Sequence, residues 1–526
     1  MNATRQGLSD RRRRHGRGGP NPGAGAGAGK SGAAREVNYR QLRNPFTPQT
    51  VFTDDRITAI HDAALSVLEE LGIKVLLPEA RAICAAGGAL VDEETEIVRI
   101  GREVIEAALA TAPRRIGCRA GAPHRDVTLE LGSLTFQPGA GAPYATDLDR
   151  GRRPASGDDF RELIKLTHHF DVLHLLPPLV EPQDVAPELR HYFTMRAQLG
   201  LSDKFPFVFS RGTPQVVESF EMLRDFRGLS DADFTAEPRC YTIINTNSPR
   251  QIDVPMAQGL IDFARAGQLA IVTPFTLMGA MAPITVAGAI TLSHAEALAA
   301  IALTQLARPG APVCYGTFTS NVDMKSGSPA FGTPEHFQAS LAAGQMARHI
   351  GLPWRCATGS AANVNDAQAA HETQFGLWGS VLAGATVIIH AAGWLEGGLT
   401  VSFEKLITDL EAVQMVAELC SPTPAGPAEI AREALDEVAP GGHFFGCAHT
   451  MERYRSAFYE PLVADWSNFG IWSEHGALTA SERATGIWRE IVASHTPPPA
   501  ADPNRLEALD AHIARRTARG GAAPSS

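Results

Sequence analysis

Hydrophobic and polar positions repeat along most of the chain in one order: a short apolar run, a polar or glycine-containing loop, and a longer stretch with helical spacing. The apolar runs predict strands at 172–180, 205–210, 241–245, 269–275, 312–317, 354–358 and 386–390. The stretches between them predict helices near 186–199, 214–227, 254–267, 285–307, 334–350, 366–384 and 402–419. Because a helix crosses over between successive strands, the pattern predicts a parallel sheet.

We expect an α/β fold in which this sheet closes into a (β/α)8 TIM-type barrel. The seven runs are one short, and the eighth strand comes either from the segment at Phe136 or from 443–447. A doubly wound open sheet is the alternative, but no glycine-rich fingerprint follows any strand to bind a dinucleotide.

Four regions follow from these patterns. We expect a disordered Arg/Gly/Ala-rich tail at 1–36, an N-terminal cap of mixed structure at 37–150 and the barrel at 151–496. Residues 497–526 read as a proline-rich segment, a short helix near 503–516 and a mobile tail. Within the cap, Asp54 and Asp55 are positioned to cap an amphipathic helix that ends at Gly72.

Membrane and nucleic-acid partners are both disfavoured. The uncharged run 269–293 is long enough to cross a bilayer, but Pro274, Gly279 and Pro283 interrupt it, which favours a buried strand, a loop and a core helix. The net charge is -10, the pI is about 5.9, and no apolar segment follows Arg11 to Arg14. The seven cysteines lack CxxC spacing. We therefore expect a cytoplasmic protein.

Candidate chemistry lies just after the strands, where a barrel gathers its reactive groups. The segment 390–398 places Trp394 close to Glu396, and an aromatic face beside a carboxylate suits a cationic ligand. The candidates for this role are Trp394, Tyr144, Tyr315, Phe318 and Glu396. The alternative is that Trp394 covers the barrel rim with Phe403 while Glu396 caps the helix beginning near Ser402.

Two further candidates leave alternatives open. His390 ends a strand and fits a core histidine, a proton carrier, or a metal ligand together with Cys240, Cys314 or Cys356, although we expect no metal. Asp366 opens a helix and fits either a cap or a functional carboxylate.

Four segments, in this order along the chain, resemble the trimethylamine methyltransferase family: 139–147 (GAGAPYATD), 280–288 (AMAPITVAG), 390–398 (HAAGWLEGG) and 449–453 (HTMER). The resemblance runs from about residue 40 to about residue 515. It implies a barrel that presents a methylated amine to the cobalt(I) of a corrinoid (cobalamin) carried by a separate corrinoid-binding protein. No cofactor would then be bound tightly by this chain.

Members that lack pyrrolysine, as this chain does, look like glycine betaine:corrinoid methyltransferases. The resemblance therefore implies a quaternary amine such as a betaine, with Glu396 and His390 as the catalytic candidates. In that case Arg211, Arg355 or Asn245 would hold the carboxylate of the donor. The alternatives are a metal-dependent barrel methyltransferase or hydrolase and a non-catalytic amine-binding barrel. Whether the chain forms a homo-oligomer is left open.

Overall fold

The computed structural model describes residues 38–525, so the tail predicted at 1–36 lies outside the described residues. The described chain divides into two compact units, one formed by 425–458 and the other by 38–424 with 459–525. Of the larger unit's helices, α1 to α12 span Asp54–Ser66, Pro78–Ala86, Arg102–Thr111, Gly157–His169, Arg190–Leu201, Thr213–Arg227, Asp231–Ala236, Val254–Ala266, Val286–Ala307, Pro334–Ile350, Ala367–Leu382 and Phe403–Leu419.

The strands β1 to β10 span Leu42–Arg43, Ile73–Val75, Leu90–Asp92, Ile97–Arg99, Arg115–Cys118, Val127–Glu130, Ser133–Phe136, Tyr144–Thr146, Arg153–Pro154 and Tyr241–Ile244. The strands β11 to β20 span Gln251–Ile252, Leu269–Val272, Phe275–Met278, Val313–Gly316, Phe318–Val322, Pro329–Ala330, Trp354–Ala357, Val387–Ile389, Trp394–Leu395 and Thr400–Ser402. Strands therefore form within most of the predicted apolar runs.

The main sheet has the order β1-β7-β18-β17-β14-β12-β10, and all its pairs are parallel except β1 with β7. The prediction of a parallel sheet with crossover helices is confirmed. The register pairs Thr135 of β7 with Val387 of β18. Of the two segments considered for an additional strand, the one at Phe136 is confirmed, whereas 443–447 holds no strand.

The first two predicted strands are not continuous strands in the structure. Segments 172–180 and 205–210 make only isolated parallel bridges, which pair Phe136 with Leu173, Leu175 with Phe205, and Phe207 with Tyr241. Pro177, Pro178 and Pro206 interrupt these segments, and proline has no N–H to donate to a ladder. The prediction of full strands is therefore wrong here, although the bridges keep the expected neighbours.

The main sheet is apolar on both faces, which explains why its strands read as continuous hydrophobic runs. Along β12, Leu269 and Ile271 join one core cluster, whereas Ala270 and Val272 join the other. The larger cluster packs against the helices. The smaller one contains the rings of Phe205, Phe207 and Tyr241.

Several helices begin where the sequence supplies a side chain for the unpaired N–H groups of the first turn. Such N-caps are Ser156, Asp253, Thr285, Thr333, Asp366 and Ser402. The prediction that Asp54 or Asp55 caps α1 is wrong, because Thr53 holds the N-cap position and the two acids lie in the first turn. A π-helical turn at Val67–Leu71 extends α1 to Gly72, as expected.

In the described chain, one helix is long and apolar enough to cross a membrane, namely α9. It packs against α1, α3, α8 and α10, and 72% of its most apolar window is buried inside the protein. Its apolar character is therefore that of a core helix.

The rest of the larger unit consists of small sheets and the last helices. β11, β2, β4 and β3 form one sheet, β19, β20, β8 and β9 form another, and β5 pairs with β6. In the unit 425–458, α13 to α15 span Pro427–Ile430, Arg432–Glu437 and Ala448–Arg453. After it come α16 at Phe469–Glu474, α17 at Ala480–Ser494 and α18 at Pro503–Thr517, which confirms the predicted last helix.

Candidate functional site

A cavity of about 590 Å³ lies at the carboxyl ends of the main-sheet strands, where the sequence predicts the chemistry. It is bordered by the loop after β10, by the ends of β17 and β18 and by the segment after β18. Six of the predicted site residues line it: Trp394, Phe318, His390, Arg355, Arg211 and Asn245. Tyr144, Tyr315, Asp366 and Glu396 do not.

One wall of the cavity is aromatic. The ring of Trp394 stacks on that of His390, with centroids 4.1 Å apart and planes 10° from parallel. Phe318 lies 5.7 Å from Trp394 and 4.9 Å from Phe275, which the sequence reading did not select. Trp394 is only 5% exposed, so its ring is largely shielded from water, and aromatic rings of this kind attract cations through their electron-rich faces.

Two glycines set the position of the Trp394 ring. A Cβ added at Gly398 would lie 2.2 Å from Cζ2 of that ring, and one added at Gly359 would lie 2.4 Å from Cζ3. Neither position therefore accepts a larger residue while the ring stays in place.

His390 is a neutral aromatic group in this site. It is buried, and burial, followed by the nearby Arg355 guanidinium, holds its pKa well below the usual value. The backbone turns sharply here, with φ at 55°, and the Thr358 hydroxyl donates to the His390 carbonyl over 2.6 Å. Nδ1 has no hydrogen-bond partner among residues 38–525. The ring therefore adds no positive charge near pH 7.

Arg355 is a buried cation without a carboxylate. It is 2% exposed, donates from Nη1 to the Thr317 carbonyl over 3.0 Å, and has its guanidinium carbon 5.3 Å from the Phe318 ring centroid. Burial lowers its pKa to about 9, so it remains charged near pH 7. Within the described chain it forms no ion pair, and Nε has no partner. A buried charge of this kind favours an anionic ligand group.

The other polar side chains of the cavity lie nearer its edge. Arg211 pairs with Glu181, its guanidinium lies 5.7 Å from the Phe209 ring, and its side chain is 42% exposed. Asn245 is exposed where β10 ends. Both positions match the expectation that polar groups follow the second and third apolar runs.

The loop after β10 is fastened by a buried carboxylate that sequence reasoning missed. Glu296 of α9 accepts from Thr246 Oγ1 over 2.5 Å, from Ser248 Oγ over 2.7 Å and from the Arg250 amide over 2.7 Å. No spacing rule relates Glu296 to a loop some fifty residues away. The one signal in the sequence is a lone acid within a long apolar helix.

Glu396 does not line the cavity that Trp394 lines. The Glu396 carboxylate forms a two-pronged pair with Arg152, at 2.8 Å from Nε and 2.9 Å from Nη2. The Arg152 guanidinium in turn covers the ring of Tyr144 at 3.7 Å. The expectation that Trp394, Glu396 and Tyr144 share one cup is therefore not met in this structure, because Arg152 occupies the carboxylate and the tyrosine face.

Tyr315 and Asp366 are also away from the cavity. Tyr315 is buried and points from β14 towards α9, where its hydroxyl lies 3.1 Å from His294 Nδ1. Asp366 is exposed and its carboxylate accepts from the amides of Gln368 and Ala369 at the start of α11. Of the two interpretations of Asp366, the structure therefore shows the cap.

No set of metal ligands converges in the described residues. In 38–525 no three His, Cys, Asp or Glu side chains are grouped so that they could hold a metal ion. Cys314 and Cys356 are buried, and burial raises the pKa of the Cys314 thiol to about 12 and that of Cys356 in the same direction. Thiols of this kind are poor ligands, because it is the thiolate that binds metal.

The comparisons with known proteins agree with the four motifs. The model of the trimethylamine methyltransferase family matches residues 20–521. A glycine betaine methyltransferase of Desulfitobacterium hafniense (strain Y51) is 32% identical over 468 residues, which cover 89% of this chain and 97% of that protein. The chain therefore belongs to the trimethylamine methyltransferase family.

Two more comparisons give the range of similar proteins. The trimethylamine methyltransferase MttB of D. hafniense (strain DSM 10664 / DCB-2) is 28% identical over 452 residues, or 85% of this chain and 90% of that protein. The crystal structure of the Methanosarcina barkeri monomethylamine methyltransferase aligns with 89% of this chain and 88% of its own, at 9% identity and a TM-score of 0.49.

Proposed function

We propose that the protein transfers a methyl group from a quaternary amine, such as a betaine, to the cobalt(I) of a corrinoid held by a partner protein. The observation that carries the proposal is the cavity itself, which combines an aromatic wall with a buried arginine that has no counter-ion among residues 38–525. A betaine has a cationic methylated nitrogen at one end and a carboxylate at the other. Each end of the donor thus has a matching group in the cavity.

We infer that the main sheet closes into the (β/α)8 barrel. The parallel pairs and bridges connect β7, 173–175, 205–207, β10, β12, β14, β17 and β18 in sequence, and β18 pairs with β7 again. In a barrel the carboxyl ends of all eight segments meet at one mouth. That arrangement explains why side chains distant in sequence line one cavity.

At the amine end, we propose that Trp394 and Phe318 bind the methylated nitrogen. A quaternary ammonium has no N–H to donate, so aromatic faces and the exclusion of water replace hydrogen bonds. The neutral ring of His390 stacks behind Trp394 and does not repel the cation. For Glu396 we propose a longer-range compensating charge, which the pairing with Arg152 attenuates.

At the carboxylate end, we propose Arg355 as the principal partner, with Arg211 and Asn245 at the edge. The unpaired Nε of Arg355 and its lack of a counter-ion in the described chain both favour a ligand carboxylate. Arg211 would have to exchange Glu181 for the donor. A zwitterion held at both ends is fixed in orientation, which is the main contribution that a protein makes to such a displacement.

The chemistry that follows needs no acid from the protein. The corrinoid supplies the attacking electron pair, and its carrier protein is the proposed partner. The methyl carbon exchanges its bond to nitrogen for a bond to the acceptor, and the bonding electrons remain on nitrogen. The amine therefore leaves neutral, and this chain has to orient the donor and keep water out.

The test is a methyl-transfer assay with purified protein, a cobalt(I) corrinoid and a panel of quaternary amines with and without a carboxylate. We expect the absorbance of methylcobalt to appear with a betaine. Folded protein that produces none with any donor, with free cobalamin or with a cognate carrier, would overturn the proposal. Calorimetric binding of the amine without transfer would instead favour a non-catalytic amine-binding barrel.

We also propose that the protein acts in the cytoplasm on a small amine and a corrinoid-binding protein. The burial of α9 and the net charge of -10 support this location and disfavour membranes and nucleic acid as partners. Self-association stays a prediction that light scattering would test.

A further inference from the structure

The residues that follow α18 lie against the edge of the proposed donor cavity. We call 521–525 the C-terminal segment, for which the sequence predicts a mobile tail. In the structure, the Ser525 amide donates to the Arg211 carbonyl over 2.9 Å, and the Ala522 amide donates to the Glu188 carbonyl over 3.2 Å. Gln215 Nε2 donates to the Ala522 carbonyl over 2.8 Å. The segment is thus bonded at both of its ends.

The turn at Arg211 and Gly212 is shaped to admit this segment. Gly212 has φ at +106°, a conformation that residues with a side chain rarely adopt, and a Cβ there would lie 2.2 Å from Ser525 Oγ. Ala522 is 6% exposed, so the segment buries part of its own surface. The contact therefore depends on Gly212 in the turn and on the small residue Ala522 in the C-terminal segment.

Ion pairs hold α18 in the position from which the C-terminal segment starts. Arg516 pairs with Glu221 at 2.7 Å and with Glu218 at 3.2 Å, both on α6. Asp510 pairs with Arg196 of α5 at 2.5 Å. The helix is therefore fixed on the two helices that flank the Arg211 turn, and the segment extends from it to the cavity edge.

We propose that the C-terminal segment is a positioning element for Arg211 and sets how tightly the cavity holds the carboxylate of a zwitterionic donor. This inference rests on the proposed function, because it assigns Arg211 a substrate carboxylate. Arg211 lines the cavity and is paired with Glu181. The Arg211 guanidinium reaches the donor carboxylate only if the Arg211 backbone is fixed. The hydrogen bond from the Ser525 amide to the Arg211 carbonyl fixes that backbone.

The sharpest test compares Ser525→Pro with Ser525→Ala. Proline removes the amide hydrogen that bonds to Arg211, whereas alanine keeps it and removes only the hydroxyl. We expect Ser525→Pro to weaken calorimetric binding of a betaine by about threefold to tenfold. Binding of tetramethylammonium, which has no carboxylate, should stay unchanged, and Ser525→Ala should behave as the wild type with both ligands.

A deletion of 521–526 provides the second measurement. It should produce the same selective loss, and combining it with Arg211→Gln should add little to the effect of either change, because both act on one contact. Equal weakening of betaine and tetramethylammonium, or an unchanged betaine affinity in Ser525→Pro, would overturn the inference while methyl transfer by the wild type stands. A wild type that binds no betaine would overturn this inference together with the proposed function.

Discussion

At the scale of single residues, Trp394 is a packed ring for which we propose a second role, as a cation-binding face. It stacks on His390 and also contacts Phe331, with ring centroids 5.3 Å apart. Replacing the ring changes packing and binding together, so a test has to separate the two. A phenylalanine keeps an aromatic face, whereas an alanine removes it.

We expect Trp394→Ala to weaken binding of a quaternary amine by about 2 kcal/mol, roughly thirtyfold, because a desolvated cation–π contact is lost. Trp394→Phe should lose much less. Calorimetry gives the affinities, and a thermal melt of each variant shows whether the fold is retained. Equal affinities for the wild type and a folded Trp394→Ala would exclude this ring as the binding face.

Arg355 allows a prediction in which one substitution weakens betaine binding without lowering the free energy of unfolding. Arg355→Met should weaken betaine binding by about 1.5–3 kcal/mol, because a charge-assisted hydrogen bond is lost. The free energy of unfolding of the unliganded protein should stay the same or increase, since the substitution removes a buried charge that has no counter-ion in the described part of the chain. Betaine titrations and urea unfolding measure the two effects, and Arg355→Lys, which keeps the charge, is the control. A large loss of stability with unchanged affinity would contradict both parts.

The pair of Glu396 and Arg152 makes the proposed electrostatic role testable. If the Glu396 charge compensates the cationic donor, Glu396→Gln should weaken amine binding, by a fewfold given the partial exposure of the pair. Arg152→Gln should strengthen it, because the carboxylate is then no longer neutralised. Unchanged affinity in both variants would assign this pair to the structure of the rim alone.

At the scale of elements, carboxylates of the surrounding helices fasten the loops that build the cavity. Asp409 of α12 accepts from the Gly393 amide over 2.9 Å and pairs with Lys405 at 2.8 Å, and both side chains are buried. Glu372 of α11 accepts from Ser360 and from two amides of the loop after β17. The Ala362 carbonyl of that loop in turn accepts a hydrogen bond from the Glu396 amide. The position of Trp394 therefore depends on α11 and α12.

For the buried pair, we expect Asp409→Asn to lower the free energy of unfolding by about 3–5 kcal/mol, because it removes the carboxylate partner of the buried Lys405. Replacing both residues, as Lys405→Met with Asp409→Asn, should recover a substantial part of that loss. Urea unfolding of the wild type, Asp409→Asn, Lys405→Met and the double variant measures the coupling between the two sites. Additive losses would show that the two side chains do not stabilise each other.

Sequence patterns predicted the strands and helices that are determined by local composition and by capping residues. The runs at β10, β12, β14, β17 and β18 are mostly apolar, and the helices between them start at capping residues, so both were found. The strands predicted at 172–180 and 205–210 were too long. Their composition is apolar, but the prolines within them interrupt the backbone hydrogen bonds of a strand.

The sequence predicted cavity-lining residues correctly only where the position of a residue relative to a strand determines whether it lines the cavity. His390 and Trp394 follow β18, Arg355 lies within β17, and all three line the cavity. Tyr315 does not, because successive side chains on a strand point to opposite faces, and it takes the face towards α9. Glu396 has φ at 53°, a turn that the sequence does not show, and this turn carries it to Arg152. Contacts between distant residues leave no local pattern.

At the scale of the whole molecule, buried histidines predict sensitivity to acid. Burial lowers the pKa of His336 to about 4 and that of His174 to about 3. A histidine in the unfolded chain binds its proton near pH 6.5, so the unfolded state holds more protons below that pH. The stability that these residues contribute is therefore complete above about pH 6.5 and is lost as the pH falls towards 4.

We expect the free energy of unfolding to fall by on the order of 3 kcal/mol for His336 alone across that range. Urea unfolding at several pH values from 7.5 to about 4.5 measures the slope. His336→Gln keeps a polar side chain that does not titrate, and its curve should be flatter than that of the wild type. Parallel curves for the two proteins would show that His336 is not linked to acid unfolding.

The close fit of Gly359 and Gly398 around the Trp394 ring limits how the protein can change its donor. Any enlargement at either glycine displaces the indole, so selection for bulkier methyl donors would find no tolerated substitution on that side. Elsewhere in the cavity lining, Phe207 and Met281 have no such restriction from glycine and are side chains that can be shortened. Divergence in substrate range, in nature or in the laboratory, should therefore accumulate there while the tryptophan side stays constant.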